Sequence, residues 1–274
     1  MQRLDVSLPC GLERRGRFLR TARLRPVSGA DEVALADAPA FAAARVSALL
    51  ARCVERIGDE RPSLADVRDL LVGDREALLL HLRRLTFGEE LTCVLACPRA
   101  GCGEVLELPL TVGALLVAPV AAPRALHDTE LEGVRVRFRL PTGKAQEAAA
   151  ELARREPAAA LAGLVAACVV EIQDEHGERL DALPPSLVAP LGAVLEALDP
   201  QAETRVSMTC VTCGAPFEAL LDAATLLFAE LGPGRIFRDV HVLASRYHWS
   251  EAAILRLSSE RRRHYLALIG EEAS

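Results

Sequence analysis

The chain is poor in aromatic residues. Phe, Trp and Tyr make up 4% of its 274 residues, with one Trp and two Tyr. Its core therefore has to be aliphatic, and the wealth of Ala and Leu makes a largely helical core the expectation. Lysine is nearly missing, since Lys144 stands alone among 32 basic residues. That arginine bias, with the many alanines, reads as a coding bias and carries no functional signal. Long apolar runs are also missing. The longest uncharged stretches, Leu108–Pro123 and Pro157–Val170, fall short of the about 18 residues a spanning helix needs, and Pro109 and Pro119 interrupt the first. No apolar segment follows Met1-Gln2-Arg3-Leu4-Asp5, so no secretory signal is expected. The expected setting is a soluble protein of a reducing cytoplasm, where eight cysteines favour metal binding over disulfides.

Catalytic signatures are missing too. There is no GxSxG elbow, no GxxxxGK[ST] loop, no GxGxxG after a strand and no HExxH helix. The six histidines, His81, His127, His176, His241, His248 and His264, form no pair of fixed spacing. His81 falls in a leucine-rich segment and His248-Trp249 at a turn, where packing explains both. Glu89-Glu90 and Glu271-Glu272 are adjacent carboxylates, which point apart on a helix and read as solvated surface. A non-enzymatic protein with no small-molecule substrate is the expectation. The net charge of −6 argues against a nucleic-acid partner. Residues 1–27 run against that balance with a local charge of +5.

What the chain does have is two cysteine knuckles far apart. The first is Cys97-Pro98-Arg99-Ala100-Gly101-Cys102-Gly103, the second Cys210-Val211-Thr212-Cys213-Gly214. Alignment of Cys102 with Cys213 also aligns Gly103 with Gly214, Glu107 with Glu218, Leu110 with Leu221, and Leu115-Leu116 with Leu226-Leu227. Thiolate sulfur is a soft donor that Zn²⁺ takes in closed sets of four, so Cys97, Cys102, Cys210 and Cys213 are the candidate ligands of one structural Zn²⁺. Glycine after the second cysteine of each knuckle permits a positive φ that curls backbone amides toward sulfur. The first loop is longer than the second by two residues, and Cys93, four residues before Cys97, is an alternative ligand. Cys10, Cys53 and Cys168 have no partner pattern and read as small buried hydrophobes.

Residues 4–28 read as a β-hairpin with its turn over Gly11–Gly16, and 31–58 as a helix. Ser63-Leu64-Ala65-Asp66 is a capping box. Asp74 is expected to N-cap a helix that puts Leu78, Leu79, Leu82 and Leu85 on one core-facing side. Val105–Leu110 reads as a strand, 113–130 as a connector, and Val134–Leu140 as a strand with Arg135, Arg137 and Arg139 on one face. Helices are expected over 144–172 and 186–198, and strands over 204–209 and 216–221. Three short helices complete the chain, one near Asp239–Tyr247, one capped by Ser250, and one from Ser258 or Ser259 to Gly270.

The expected fold class is α+β, mostly helical, with short antiparallel strands around a split zinc-ribbon-like four-cysteine site. The expected organisation is an N-terminal hairpin and helical region over 1–92, the split ribbon over 93–222 with a helical insertion at about 113–203, and a helical region over 223–274. One functional reading is a zinc-ribbon nucleic-acid-binding regulator, with Leu243 to Tyr265 scanned as a helix-turn-helix. Glu251, Glu260, Glu271 and Glu272 dilute the basic footprint that such a reader needs.

Several blocks taken in order carry a resemblance. They are Leu8-Pro9-Cys10-Gly11, Leu24-Arg25-Pro26, Val72-Gly73-Asp74-Arg75-Glu76-Ala77-Leu78-Leu79-Leu80 with Leu82-Arg83-Arg84-Leu85-Thr86-Phe87-Gly88, and the knuckle Cys97…Cys102-Gly103. Phe138-Arg139-Leu140-Pro141-Thr142, the knuckle Cys210-Val211-Thr212-Cys213-Gly214, Tyr247-His248-Trp249-Ser250-Glu251 and Arg261-Arg262-Arg263 followed by Tyr265-Leu266 continue the series. Together they resemble the baseplate hub assembly chaperone family of T4-like phages and related proteins of phage-derived contractile injection systems. The widened first knuckle departs from the pattern. The resemblance implies an assembly chaperone or structural component that binds baseplate or hub subunits, and it carries no catalytic residues. The candidate partner surfaces are the arginine face of 135–139, the basic N-terminal hairpin and the Tyr247-His248-Trp249 turn.

Overall fold

The computed structural model describes residues 3–36, 42–232 and 234–272, with side chains to residue 270. The chain opens with β1 (Leu4–Arg14) and β2 (Arg17–Leu24), an antiparallel hairpin. Its turn is only Arg15-Gly16, at φ 51° and 76°, the left-handed pair that matches the twist of a two-residue hairpin turn. The longer turn expected over Gly11–Gly16 is therefore corrected. Gly11 instead sits in a bulge between Ser7 and Leu12 at φ 95°, where an added Cβ would meet the Leu19 carbonyl oxygen at 2.7 Å.

The helix expected over 31–58 resolves into α1 (Gly29–Ala36), α2 (Ala42–Cys53) and β3 (Val54–Ile57), with residues 37–41 outside the described residues. β3 pairs with β2 and buries Val54 and Ile57, so sheet pairing overrides the local helical pattern. Ser63 makes the expected capping box with Asp66 at the start of α3 (Leu64–Asp69). α3 ends at Asp69, and α4 (Val72–Phe87) begins after Leu70-Leu71 and includes Gly73 in its first turn. Asp74 is not its N-cap. Its carboxylate lies in the first turn and accepts the N–H groups of Cys10 and Gly11, both at 2.8 Å, which ties the β1 bulge to the helix. Burial pushes this carboxyl up to about 7. Leu78, Leu79 and Leu82 are fully buried and Leu85 partly, as the spacing predicts, but the helix is buried on its other sides too. Arg75 is fully enclosed and donates to Ser47 Oγ and to the carbonyls of Val67 and Ala43.

Next come β4 (Glu90–Ala96), β5 (Val105–Thr111) and α5 (Val112–Leu115), then β6 (His127–Leu131) and β7 (Val134–Phe138). α6 (Gly143–Arg155), α7 (Ala160–Cys168), β8 (Val169–Gln173) and α8 (Val188–Leu198) follow. The continuous helix expected over 144–172 is thus interrupted at Glu156-Pro157 and ends in a strand that pairs with β7. Glu90 begins a strand rather than sharing a helix with Glu89. β9 (Thr204–Thr209), β10 (Pro216–Leu221) and α9 (Ala223–Leu231) lead to α10 (Arg235–Tyr247), α11 (Glu251–Leu255) and α12 (Ser259–Glu272).

The class is mixed α/β with four short antiparallel sheets, ordered β1-β2-β3, β4-β5, β6-β7-β8 and β9-β10. A first hydrophobic core surrounds α4 and takes in β1–β3, α2, Leu91, Cys93, Leu115 and Leu221–Leu231. A second, built from Val136, Phe138, Leu140, Val165, Cys168, Ile172, Leu191 and Leu195, belongs to the segment between the two cysteine hairpins. The last helices are bolted on by Arg262, fully buried, which pairs with Glu32 of α1 and also donates to the Leu257 carbonyl. Among the described residues no helix is long and apolar enough to cross a membrane.

Candidate metal centre

The two knuckles sit at the tips of two hairpins with the same register. In β4–β5, Cys93 faces Leu108, Leu95 faces Leu106 and Ala96 faces Val105. In β9–β10, Val206 faces Ala219, Met208 faces Phe217 and Thr209 faces Pro216. Each hairpin is followed by a helix capped from the equivalent position, Thr111 for α5 and Asp222 for α9. The backbone closures match as well. Cys97 N–H donates to the Glu104 carbonyl at 2.8 Å, and Cys210 N–H to the Ala215 carbonyl at 3.0 Å. Gly103 and Gly214 have φ of 61° and 69°, the positive values expected of knuckle glycines.

The hairpins converge so that Cys97 Sγ lies 3.7 Å from Cys213 Sγ, and Cys102 Sγ lies 3.8 Å from Cys210 Sγ. Exchange of the hairpins turns the first contact into the second, as a twofold relation requires. All four sulfurs lie within 4.8 Å of one another. The close pairs are too long for disulfides, whose S–S length is about 2.05 Å. They match the edge of a tetrahedron with metal–sulfur bonds of about 2.3 Å, which is about 3.8 Å. Leu106, Met208 and Phe217 pack beneath the cluster, and Arg99 Nη1 reaches across to the Cys213 carbonyl at 3.2 Å.

Electrostatics agree with a cation-binding arrangement. The Ala215 N–H pushes the Cys213 thiol down to about 6. At Cys97 the Arg99 N–H opposes, but burial and the three neighbouring sulfurs prevail and push the thiol up to about 12. The Glu104 N–H favours the Cys102 thiolate, yet burial and the sulfurs of Cys213 and Cys210 raise it overall. Four sulfurs this close cannot all ionise unless a cation shares the space. The set is compatible with a metal site, and among the described residues no other group of three or more His, Cys, Asp or Glu is close enough to hold an ion.

Cys93 is not part of the cluster. It occupies the hairpin position of Val206 and its side chain is buried in the first core. Cys10, Cys53 and Cys168 are buried as expected, and burial pushes their thiols up to about 12, 12 and 11. The histidines are scattered. Burial pushes His81 down to about 4, His127 stacks on Phe138, and His248 closes α10 in a left-handed conformation at φ 52°.

The arginine surfaces are less free than the sequence suggests. Within the N-terminal hairpin Arg3 pairs with Glu55, Arg14 with Asp66, Arg23 with Asp5 and Arg25 with Asp31. Arg137 is held by Asp128 at 2.9 Å and Glu171 at 3.6 Å, whereas Arg135 and Arg139 are exposed with no side-chain partner among the described residues. The segment scanned as a helix-turn-helix comprises the end of α10, a five-residue α11 and the first half of α12. The side chains of Glu271 and Glu272 lie outside the described residues.

The fold and this centre define a mixed α/β protein in which two repeated hairpins, separated by an inserted unit with its own core, meet at four sulfurs. Residues 11–227 match the family described as T4 bacteriophage base plate protein, a span that takes in both hairpins and the insertion, and the chain belongs to that family. No curated protein and no solved structure matches it.

Proposed function

We propose that this base plate protein acts as an assembly chaperone or structural component of a phage-like contractile tail or injection-system baseplate. It is non-enzymatic and works in the cytoplasm by binding baseplate or hub subunits. The observation that carries the reading is the family match over residues 11–227. The absence of catalytic motifs from the sequence agrees with it.

In the same reading, Cys97, Cys102, Cys210 and Cys213 hold one structural Zn²⁺ as a split zinc ribbon. The sulfur spacing, the closed four-thiolate set and the paired backbone closures support this. The ribbon extends over 93–222, between a hairpin-and-helix region over 1–92 and a helical region over 223–274. The second core supports an insertion at about 113–203. Its role is to fix the two hairpins and so the surface that partners meet.

Two measurements test the reading. The full tagged chain, recovered from cells that make the particle, should bring down baseplate or hub subunits, and deletion of its gene should leave particles absent or without baseplates. Normal, functional particles from the deletion strain would refute it. Elemental analysis of freshly purified protein should give one zinc per chain, and zinc-free protein would sink the metal assignment.

A further inference from the structure

The C-terminal helices hold chemistry that the sulfur centre does not use. They lie beyond the matched span of 11–227. The only Trp and both Tyr of the chain are stacked on one another here. Tyr247 and Trp249 have ring centroids 4.9 Å apart, and Tyr265 meets them edge-on at 5.7 and 5.0 Å. All three are half-buried, so each ring keeps an open side. On α10, Phe237 is 51% exposed and Arg238 beside it is exposed with no ion-pair partner among the described residues. An open depression of about 570 Å³ lies along the same helix, lined by Arg235, Arg238, Asp239, Val242 and Leu266.

The mix of rigid aromatic rings, arginine and a shallow apolar floor is the composition of an interface centre. Charge selects the occupant. Residues 234–272 carry seven arginines against five acidic residues in a chain whose net charge is −6. Asp239 is buried between Arg262 at 3.7 Å and Arg235 at 3.9 Å, so the exposed cation left without an ion-pair partner around the depression, among the described residues, is Arg238. Contact with the acidic body of a second copy would join two different patches. Such head-to-tail contact closes only in rings and otherwise grows into filaments. The fitting occupant is a different protein.

We propose that the depression between α10 and α12, on the same two helices that carry Tyr247 and Tyr265 of the aromatic stack, docks an acidic segment of a partner protein. This deepens the baseplate reading and rests on it. The test places the photo-crosslinker benzoylphenylalanine at position 237, and separately at Val94, which is 64% exposed on the outer side of β4. The full chain is used in particle-producing cells, and the adducts are sequenced. The expected result is an adduct from position 237 with an Asp- and Glu-rich segment of a baseplate or hub subunit. Arg238→Glu should lower its yield at least tenfold without shifting the melting temperature, and Arg238→Lys should largely preserve it. A subunit adduct from position 94 alone overturns the docking site and leaves the baseplate reading standing. Adducts from position 237 with nucleic acid, or with a second copy of the chain, overturn the acidic-protein assignment. Absence of any adduct from both positions overturns the docking site, and the gene-deletion phenotype then decides the baseplate reading separately.

Discussion

The two cysteine hairpins invite comparison because their strands agree in register while their loops do not. Every cross-strand pair of β4–β5 from Leu91↔Leu110 to Ala96↔Val105 has its counterpart in β9–β10. Both following helices are capped from the same position, by Thr111 and by Asp222. Yet the first loop holds four residues between its cysteines and the second holds two. The extra residues are absorbed beyond the strands, with Gly101 at φ 79°, and both loops still close with the cysteine N–H on the carbonyl after the knuckle glycine. What the centre requires is the position of four sulfurs and the amides around them, and loop length is free so long as those are met. In depth the hairpins agree, since the first cysteine of each, Cys97 and Cys210, is buried and the second, Cys102 and Cys213, is partly exposed.

The largest effect should come from breaking the shared centre. Cys210→Ser should abolish zinc binding and loosen both hairpins at once, since structural zinc contributes on the order of 10 kcal/mol in small zinc modules. Elemental analysis and thermal melts read this out. Cys93→Ser should keep full zinc, and loss of metal there would return Cys93 to the ligand set. Next, Leu106→Ala and Phe217→Ala probe equivalent positions beneath the sulfurs. Each should cost about 2–4 kcal/mol in denaturant titrations, and an effect confined to one hairpin would show that they do not act as a pair.

The helix caps should differ by less. Thr111→Ala should cost about 1 kcal/mol, and Asp222→Ala slightly more, because Asp222 accepts from both Ala224 N–H and the Thr225 hydroxyl. Equal costs would mean that the hydroxyl contact adds nothing. The smallest effect is expected from making the hairpins alike. Deletion of Ala100 and Gly101 gives the first knuckle the spacing of the second. It should retain one zinc per chain with stability changed by about 1 kcal/mol or less, since a short change in loop length carries little closure entropy. Loss of zinc would show that the long loop is needed.

Much of this centre could be read in the chain because knuckle spacing and the matching residues after each cysteine are local signals. The ends of β9 and β10, the Ser63 capping box and the buried leucines of α4 were legible for the same reason. What was not legible depends on distant partners. β3 and β8 extend runs with a helical pattern and become strands only because β2 and β7 offer edges. Asp74 looks like a cap until the β1 bulge presents two amides to it. No local pattern marks Arg75 and Arg262 as buried, yet both are enclosed by groups far away in sequence. Cys93 could be separated from Cys97 only by the strand register.

The topology of the centre carries a thermodynamic consequence for the unfolded chain. Cys102 and Cys210 are 108 positions apart, and the whole second core lies between them. A clasp across so long a stretch removes roughly 4–5 kcal/mol of chain entropy from the unfolded state, if it behaves as a covalent link would. If the insertion folds first, most of that entropy is already gone and the sulfurs need only a short search. Affinity for the ion is then linked to the fold of residues that never touch it. Phe138→Ala, deep in the second core, should weaken metal binding from a distance, and added metal should in turn raise the midpoint at which that core unfolds.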